Sequence, residues 1–505
     1  MRKSGILMPV SSLPSAHGIG CISKEAYEFV DFLKASGQSL WQVLPLGPTG
    51  YGDSPYQSLS TFAGNPYFIC LDTLAEEGLL TRDEIGRTFF GSSEERVDYG
   101  AIYQGRYLML RIAYGRFLDK GGDEEPDYKE FLQKEAFWLD NYALFMALKG
   151  HYAGRSWMEW DAPLREREPA ALEEARAELS EEVGFWCFQQ YEFQKQWTKL
   201  HKYANKQGVE IIGDIPFYAA MDSADAWSHP EAFQFDRQMR PIAVAGCAPD
   251  AFSATGQLWG NPLYDWKAMK KDGYGWWIRR IARSREMYDV IRIDHFNGFD
   301  SYYAVPYGDR TAENGTQEKG PGMAFFRELR AQLGDVKLIA EDLGTLTPSS
   351  ERLLKSSGCP GMKVLQYAFD WTESSLYLSY NHIRNCVVYT GTHDNNTTRA
   401  WIEEISDHDR DFARRFIGSE NTDYGKFTWD FIREAQRSVA DTCIIPLQDY
   451  LVKGSEARIN CPGTQGNNWQ WRLKPHFLSR ELADSIRRMT QLYGRLPEQN
   501  RAKEK

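Results

Sequence analysis

The sequence lacks several features that mark particular classes of protein. None of its 8 cysteines belongs to a CxxC pair, so neither a zinc motif nor a disulfide framework is indicated, and reduced cysteines of a cytoplasmic protein are expected. With 59 Lys and Arg against 70 Asp and Glu, the chain lacks the positive charge that nucleic-acid binding requires. Its apolar stretches are too short to cross a membrane or to act as a signal peptide.

Aromatic residues, in contrast, are plentiful. The chain has 16 Trp, 27 Tyr and 27 Phe, or 14% of its 505 residues. A chain with this much apolar mass can bury a large core, which excludes a disordered protein. The length suggests either roughly three domains of about 150 residues each or one large scaffold with insertions.

Short apolar segments alternate with helical patterns along the chain. Eight segments are predicted to be strands: residues 5–10, 41–46, 209–216, 290–295, 336–342, 362–366, 387–394 and 457–461. Eight strands with intervening helices predict an α/β fold, the (β/α)8 or TIM barrel. The structural rival, a doubly wound open sheet, is less favoured because no GxGxxG motif follows the first strand.

Two intervals between predicted strands are much longer than a crossover helix requires. We therefore predict one interrupted barrel domain over residues 1–505. A large, mainly helical insertion at 47–205 follows the second strand, and another at 217–289 follows the third. Both insertions would lie at the carboxyl ends of the strands, the face on which barrels keep their active sites.

Four predicted strands end in an acidic residue. These residues are Asp214, Asp294, Glu341 and Asp394. In the segment that contains Asp294, strand alternation turns Ile291 and Ile293 outward and Arg292 and Asp294 inward. A single acid after a strand is often the N-cap of the next helix. Four together, one in register with an arginine, point instead to an active site.

Converging carboxylates without a metal cluster or a serine or cysteine triad suit the cleavage of glycosidic bonds. Arg292 would hold Asp294 ionised as the nucleophile. Glu341, protonated through burial and negative neighbours, would act as general acid and base. Asp394 would bond sugar hydroxyls. His295 follows Asp294 and faces elsewhere, so we expect it to pack against the core.

Aromatic residues among loop-forming residues of the two insertions are candidates for stacking on sugar rings. Tyr56 represents the first insertion and Trp259 the second. Most other aromatic residues are expected in the core. Among the histidines, His393 is singled out because it lies at a strand end beside Asp394.

Specific motifs occur in order along the chain: SSLPSAHGIG, GYGDSPYQ, GQLWGNPLY, RIDHF, AEDLG, GTHDNNT and NNWQWR. Through them the chain resembles the amylomaltase or disproportionating-enzyme family of 4-α-glucanotransferases, relatives of the α-amylases. The resemblance implies that Asp294 is the nucleophile, Glu341 the acid/base and Asp394 the carboxylate that stabilises the transition state.

The same resemblance implies a set of substrate contacts. Asp214, Arg292 and His393 would line the donor sugar, and Tyr56 would lie near the cleavage point. Trp259 would belong to an active-site lid at residues 246–260. Asn467, in the NNWQWR motif, would also bind substrate.

The activity implied by the resemblance is retaining transfer of a 1,4-α-glucan segment to the 4-hydroxyl of another glucan. Maltooligosaccharides or amylose would be the substrates, with no organic cofactor and no metal. The residues by themselves allow an α-glucan hydrolase of the α-amylase type equally well. A catalytically silent glucan-binding protein is a third alternative, against which the three carboxylates argue. No sequence feature indicates an oligomeric state.

Overall fold

The computed structural model describes residues 2–50, 52–249, 253–344, 346–369, 375–464 and 466–497. The strands are β1 (Lys3–Leu7), β2 (Leu40–Gln42), β3 (Glu210–Ile215), β4 (Ala243–Cys247), β5 (Gln257–Pro262), β6 (Val290–Ile293), β7 (Ser301–Pro306), β8 (Thr316–Lys319), β9 (Leu338–Ala340), β10 (Gly361–Val364), β11 (Cys386–Tyr389) and β12 (Thr442–Pro446).

The α-helices are distributed between these strands and after the last one. They are α1 (Lys24–Ala35), α2 (Leu71–Glu76), α3 (Arg82–Arg87), α4 (Tyr99–Asp119), α5 (Pro126–His151), α6 (Ala162–Arg165), α7 (Pro169–Glu178), α8 (Ser180–Lys206), α9 (Ala224–Ser228), α10 (Trp266–Lys271), α11 (Gly275–Met287), α12 (Met323–Leu333), α13 (Pro348–Ser357), α14 (Thr398–Glu404), α15 (Asp407–Ile417), α16 (Tyr424–Arg437), α17 (Leu447–Tyr450) and α18 (Arg480–Leu492). No helix in these described ranges is long and apolar enough to cross a membrane.

Eight strands form one parallel sheet in the order β10-β11-β12-β1-β2-β3-β6-β9. The outer two, β9 and β10, meet where the Ala340 N–H donates to the Pro360 carbonyl at 2.9 Å. Just beyond, the Met362 N–H donates to Asp342 Oδ1 at 2.6 Å. These bonds bring the sheet round into the predicted (β/α)8 barrel.

The eighth predicted strand, at residues 457–461, is wrong. The eighth barrel strand is β12, which pairs with β1 and β11. In β12, Ile444 faces the barrel interior while Cys443 and Ile445 face the helices. The residues at 457–461 alternate in polarity but do not form a strand, because their backbone groups form hydrogen bonds with loop residues. The Asn460 N–H, for example, donates to the His393 carbonyl at 3.1 Å.

The barrel interior is a compact apolar layer separate from the larger core between strands and helices. Its buried members are Leu7, Leu40, Ile212, Ile339, Met362, Val364, Val387, Tyr389 and Ile444. Alternate residues of the same strands, such as Ile291 and Ile293, lie in the outer core. Burying each such side chain contributes about 1.5–3 kcal/mol, so the alternation firmly determines which side chains reach the barrel interior.

The two long intervals contain different structures. Helices α2–α8 lie between β2 and β3, where α5 packs along α8. The interval between β3 and β6 contributes β4 and β5 to a four-stranded antiparallel sheet of order β5-β4-β7-β8, completed by strands that follow β6. This sheet was not predicted, because β4 and β5 contain glycine and the residues of β8 are all exposed, which leaves little hydrophobic alternation.

Candidate active site

A buried arginine–aspartate pair lies at the carboxyl end of the barrel interior. Arg292 on β6 and Asp214 on β3 are register partners, and Arg292 Nη1 contacts both Asp214 oxygens, at 2.7 and 2.6 Å. Burial opposes the charged form of Arg292, but the carboxylates of Asp214 and Asp294 outweigh it, and its pKa lies well above the ordinary value. The guanidinium is therefore a fixed cation.

Asp294 shares this cation. It follows β6 directly, and its Oδ1 lies 3.1 Å from the same Nη1 of Arg292. The Asp294 side chain is 30% exposed, whereas the Arg292 side chain is 3% exposed. Asp294 thus presents a carboxylate at the barrel mouth above a buried positive charge, on the inner face that strand alternation predicts.

Glu341 is the strand neighbour of Asp294. Ile293 on β6 and Ala340 on β9 are register partners, and the Glu341 N–H donates to the Ile293 carbonyl at 3.0 Å. The residues that follow the two strands, Asp294 and Glu341, therefore stand side by side. Parallel strands lie about 4.8 Å apart, so the two carboxyl groups face the same small volume.

Two backbone N–H groups orient the Glu341 carboxyl group. The His295 N–H donates to Oε2 at 2.6 Å, and the Leu343 N–H donates to Oε1 at 2.8 Å. Burial, followed by the charge of Asp294, raises the pKa of Glu341 to about 8 against the opposing effects of Arg292 and these hydrogen bonds. Glu341 is accordingly protonated at neutral pH, beside Asp294 and the Arg292 cation.

Asp394 lies after β11 and is held by the segment wrongly predicted to be a strand. Its Oδ1 accepts a hydrogen bond from Asn460 Nδ2 at 2.7 Å and lies 3.3 Å from His393 Nε2. Arg458 Nη2 donates to the Asp394 carbonyl at 3.0 Å. Asn460 and Arg458 escaped prediction, because nothing in the pattern ARINC marks them as neighbours of residue 394.

Tyr56 connects the interval between β2 and β3 to the barrel. Its hydroxyl donates to Asp214 Oδ2 at 2.8 Å, and its ring stacks on His393 with centroids 5.1 Å apart. The Trp469 ring is tilted against both rings, with its centroid 5.9 Å from that of Tyr56 and 6.0 Å from that of His393. The structure thus brings together Tyr56, Asp214 and His393, three of the predicted sugar-binding residues, and adds Trp469.

Trp259 lies on β5, at the other side of the site. Its ring meets the His295 ring edge-on, with centroids 5.1 Å apart and an interplanar angle of 89°. The predicted lid, 246–260, coincides with the hairpin of β4 and β5, of which residues 250–252 lie outside the described ranges. Asn467 is exposed, with φ 57°, in the loop before Trp469. Within the described ranges, Asn467 forms no hydrogen bond with Asp294, Glu341 or Asp394.

A parallel barrel with two adjacent carboxyl groups at the carboxyl ends of its strands, one beside a buried cation and the other with a raised pKa, defines a (β/α)8 enzyme acting on glycosidic bonds. A family model described as 4-alpha-glucanotransferase matches residues 8–479. The chain belongs to this family and is an enzyme of the 4-α-glucanotransferase type, as the motifs predicted.

Similar proteins span the whole chain. The 4-alpha-glucanotransferase of Clostridium butyricum is 47% identical over 490 residues, which is 97% of this chain and 100% of the relative. That of Thermus thermophilus is 44% identical over 501 residues, 98% and 99% of the two chains. The structure of amylomaltase from Streptococcus agalactiae in complex with acarbose is similar with a TM-score of 0.95, at 39% identity, and covers 98% of this chain and 100% of that one.

Proposed function

We propose that the protein transfers a segment of a 1,4-α-D-glucan to the 4-hydroxyl of an acceptor glucan or glucose, with Asp294, Glu341 and Asp394 as its catalytic residues. The assignment rests above all on one observation. Asp294 lies 3.1 Å from the buried Arg292 cation, while its neighbour Glu341 has a pKa raised to about 8. A carboxyl group beside a fixed cation suits the role of nucleophile, and a neighbouring carboxyl group with a raised pKa suits the role of acid.

In the first step, an Asp294 oxygen attacks C1 of the donor sugar while Glu341 gives its proton to the glycosidic oxygen. The bond from C1 to that oxygen breaks, and the reducing-end part of the donor leaves with the proton. The non-reducing part stays as an ester of Asp294. Glu341 is now ionised, and Arg292 loses the charge of its Asp294 partner.

In the second step, Glu341 removes the proton from the 4-hydroxyl of the acceptor, whose oxygen attacks C1 and releases Asp294. Two displacements retain the configuration at C1. The strand pairing supports this course, since retaining enzymes hold their two carboxyl groups about 5–5.5 Å apart, close to the spacing of neighbouring parallel strands of about 4.8 Å.

The surrounding residues would bind the donor sugar. Asp394, oriented by Asn460, is placed to bond sugar hydroxyls. Asp214 and His393 would line the same sugar, joined through Tyr56. We assign Asn467 to substrate binding as well, on the strength of its motif and its place in the loop before Trp469.

The intervals 47–205 and 217–289 would form the walls of a groove for maltooligosaccharides or amylose within the single interrupted barrel domain. Trp259 supports this assignment for the second interval, because its partly buried ring meets edge-on the ring of His295, the residue that follows Asp294. The acarbose complex of the Streptococcus agalactiae amylomaltase supports an oligosaccharide ligand. None of the eight cysteines, all of which lie in the described ranges, is recorded in a disulfide, which supports action in the cytoplasm.

Incubation with maltotriose tests the activity directly. Chromatography of the products should show glucose together with a series of longer glucans, because each glucan segment passes to another sugar. Products that are all shorter than maltotriose would instead support the α-glucan hydrolase. Unchanged maltotriose, with correctly folded protein, would contradict both enzymatic activities.

A further inference from the structure

His295 has an unusual backbone conformation between the two reacting carboxylates. Its φ of 50° lies in the left-handed region, which costs a residue with a side chain about 1–2 kcal/mol. It follows Asp294 directly, and its N–H donates to Glu341 Oε2 at 2.6 Å. The next residue, Phe296, donates its N–H to the Glu341 carbonyl at 3.0 Å. This turn therefore joins the nucleophile to the group that orients the acid.

Aromatic residues that precede β6 hold the His295 ring. Tyr218 stacks on it, with centroids 5.9 Å apart and an angle of 29°, and Trp259 meets it edge-on at 5.1 Å. Tyr218 is itself buried and stacks on Tyr264. Aromatic pairs contribute about 0.5–1.5 kcal/mol each beyond their buried area. Two such contacts are comparable to the energy that the left-handed conformation costs.

We propose that His295 is a positioning residue for Glu341. The contacts of its ring with Tyr218 and Trp259 hold the left-handed backbone that directs its N–H at Glu341 Oε2. The hairpin of β4 and β5 thereby sets the orientation of the acid through the ring of Trp259. This inference rests on the proposed role of Glu341 as acid and base.

The leaving group of the donor provides the test, because fluoride departs without needing a proton whereas a sugar hydroxyl needs one. For each variant, kcat/KM is measured for maltotriose and, by fluoride release, for α-maltotriosyl fluoride. A β-branched residue disfavours the left-handed region. We expect His295→Val to lower kcat/KM for maltotriose at least about tenfold more than for the fluoride, as loss of an oriented general acid requires.

His295→Asn is the conservative variant, since asparagine tolerates a left-handed backbone and keeps the N–H. It should restore part of the maltotriose activity that His295→Val loses. Trp259→Leu should also reduce the maltotriose rate selectively, and this selective loss should shrink in the His295→Asn background. If the selective losses of maltotriose activity in Trp259→Leu and His295→Asn simply multiply in the double variant, Trp259 does not act on Glu341 through the His295 ring.

Glu341→Gln separates this inference from the proposed function. A Glu341→Gln variant that lowers both rates equally would overturn the acid role of Glu341 itself. If Glu341→Gln is selective for maltotriose but His295→Val lowers both rates alike, only the role of His295 is wrong. Thermal unfolding verifies that each variant is folded. If His295→Val does not fold, the role of His295 is tested by comparing the selective loss of maltotriose activity in Trp259→Leu with that in the Trp259→Leu/His295→Asn double variant.

Discussion

The Tyr56 hydroxyl donates to Asp214 Oδ2 at 2.8 Å, so a residue of the long interval between β2 and β3 contacts the buried ion pair of the barrel. Asp214 accepts its other hydrogen bonds from Arg292, the cation that also faces Asp294. Tyr56 and Asp294 are thus connected through two side chains, those of Asp214 and Arg292. The same Tyr56 ring stacks on His393 beside Asp394.

Removing this hydroxyl should weaken catalysis without disturbing the stacked ring. We expect Tyr56→Phe to lower kcat/KM for maltotriose about ten- to 150-fold, since a hydrogen bond to a charged group contributes about 1.5–3 kcal/mol. Steady-state kinetics of glucose release measures the effect. Tyr56→Ala, which also removes the stacking on His393, should lose more. Equal rates for the wild-type protein and Tyr56→Phe would show that the contact does not matter.

The activity should decline on the alkaline side as Glu341 loses its proton. Burial and the charge of Asp294 raise the pKa of Glu341 from an ordinary value of 4.5 to about 8. The protonated acid is therefore present below pH 8 and is lost as the pH rises through that value. The pH profile of kcat/KM for maltotriose should fall tenfold per pH unit above this point. A profile that falls near pH 5 instead would contradict the raised pKa, provided circular dichroism shows an intact fold.

Asp214 should be important for stability as well as for binding. Asp214→Asn removes the negative partner from a buried cation, and breaking a buried ion pair costs about 3–5 kcal/mol. Urea denaturation should show a loss of this size in the free energy of unfolding. Asp335→Asn is a suitable control, because the Asp335 side chain is 99% exposed next to Arg330 and such pairs contribute about 0–1 kcal/mol. Equal stability of the two variants would contradict the importance of the buried pair.

Asn460 should act on catalysis through Asp394. Asn460→Asp replaces the amide that donates to Asp394 Oδ1 with a second negative charge. We expect kcat/KM for maltotriose to fall at least about tenfold, because Asp394 Oδ1 loses the donor that orients it and gains a carboxyl group beside it. Asn385→Asp, on the exposed loop before β11, carries the same change of charge and should leave kcat/KM unaltered. A comparable loss in both variants would point to a general effect of charge.

Strand alternation correctly predicted which side chains enter the barrel. Asp294 and Glu341 could be placed at the mouth of the barrel because each ends a predicted strand in which the inward and outward residues are distinct. His295 was expected only to pack, since no pattern of residue types reveals a left-handed backbone that directs an N–H at Glu341. Asn460 was likewise missed, because its partner Asp394 lies 66 residues away in the chain and their contact depends on tertiary structure.

The strand predictions failed where hydrophobic alternation and backbone pairing disagree. Residues 457–461 alternate in polarity, but their backbone groups form hydrogen bonds with loop residues. β12 is a short apolar segment that leads at once into α17, so its pattern merges with that of the helix. The sheet of β4, β5, β7 and β8 is equally hard to predict, because its exposed and glycine-containing strands show little amphipathic alternation.

The identity of the nucleophile is the central claim, and trapping the covalent intermediate tests it most directly. Glu341→Gln, incubated with α-maltotriosyl fluoride, lacks the base that the second step needs and should accumulate a glycosyl ester. Mass spectrometry of its peptides should find the added sugar on Asp294. A sugar on Asp214 or Asp394, or continued transfer by a folded Asp294→Asn variant, would contradict the account.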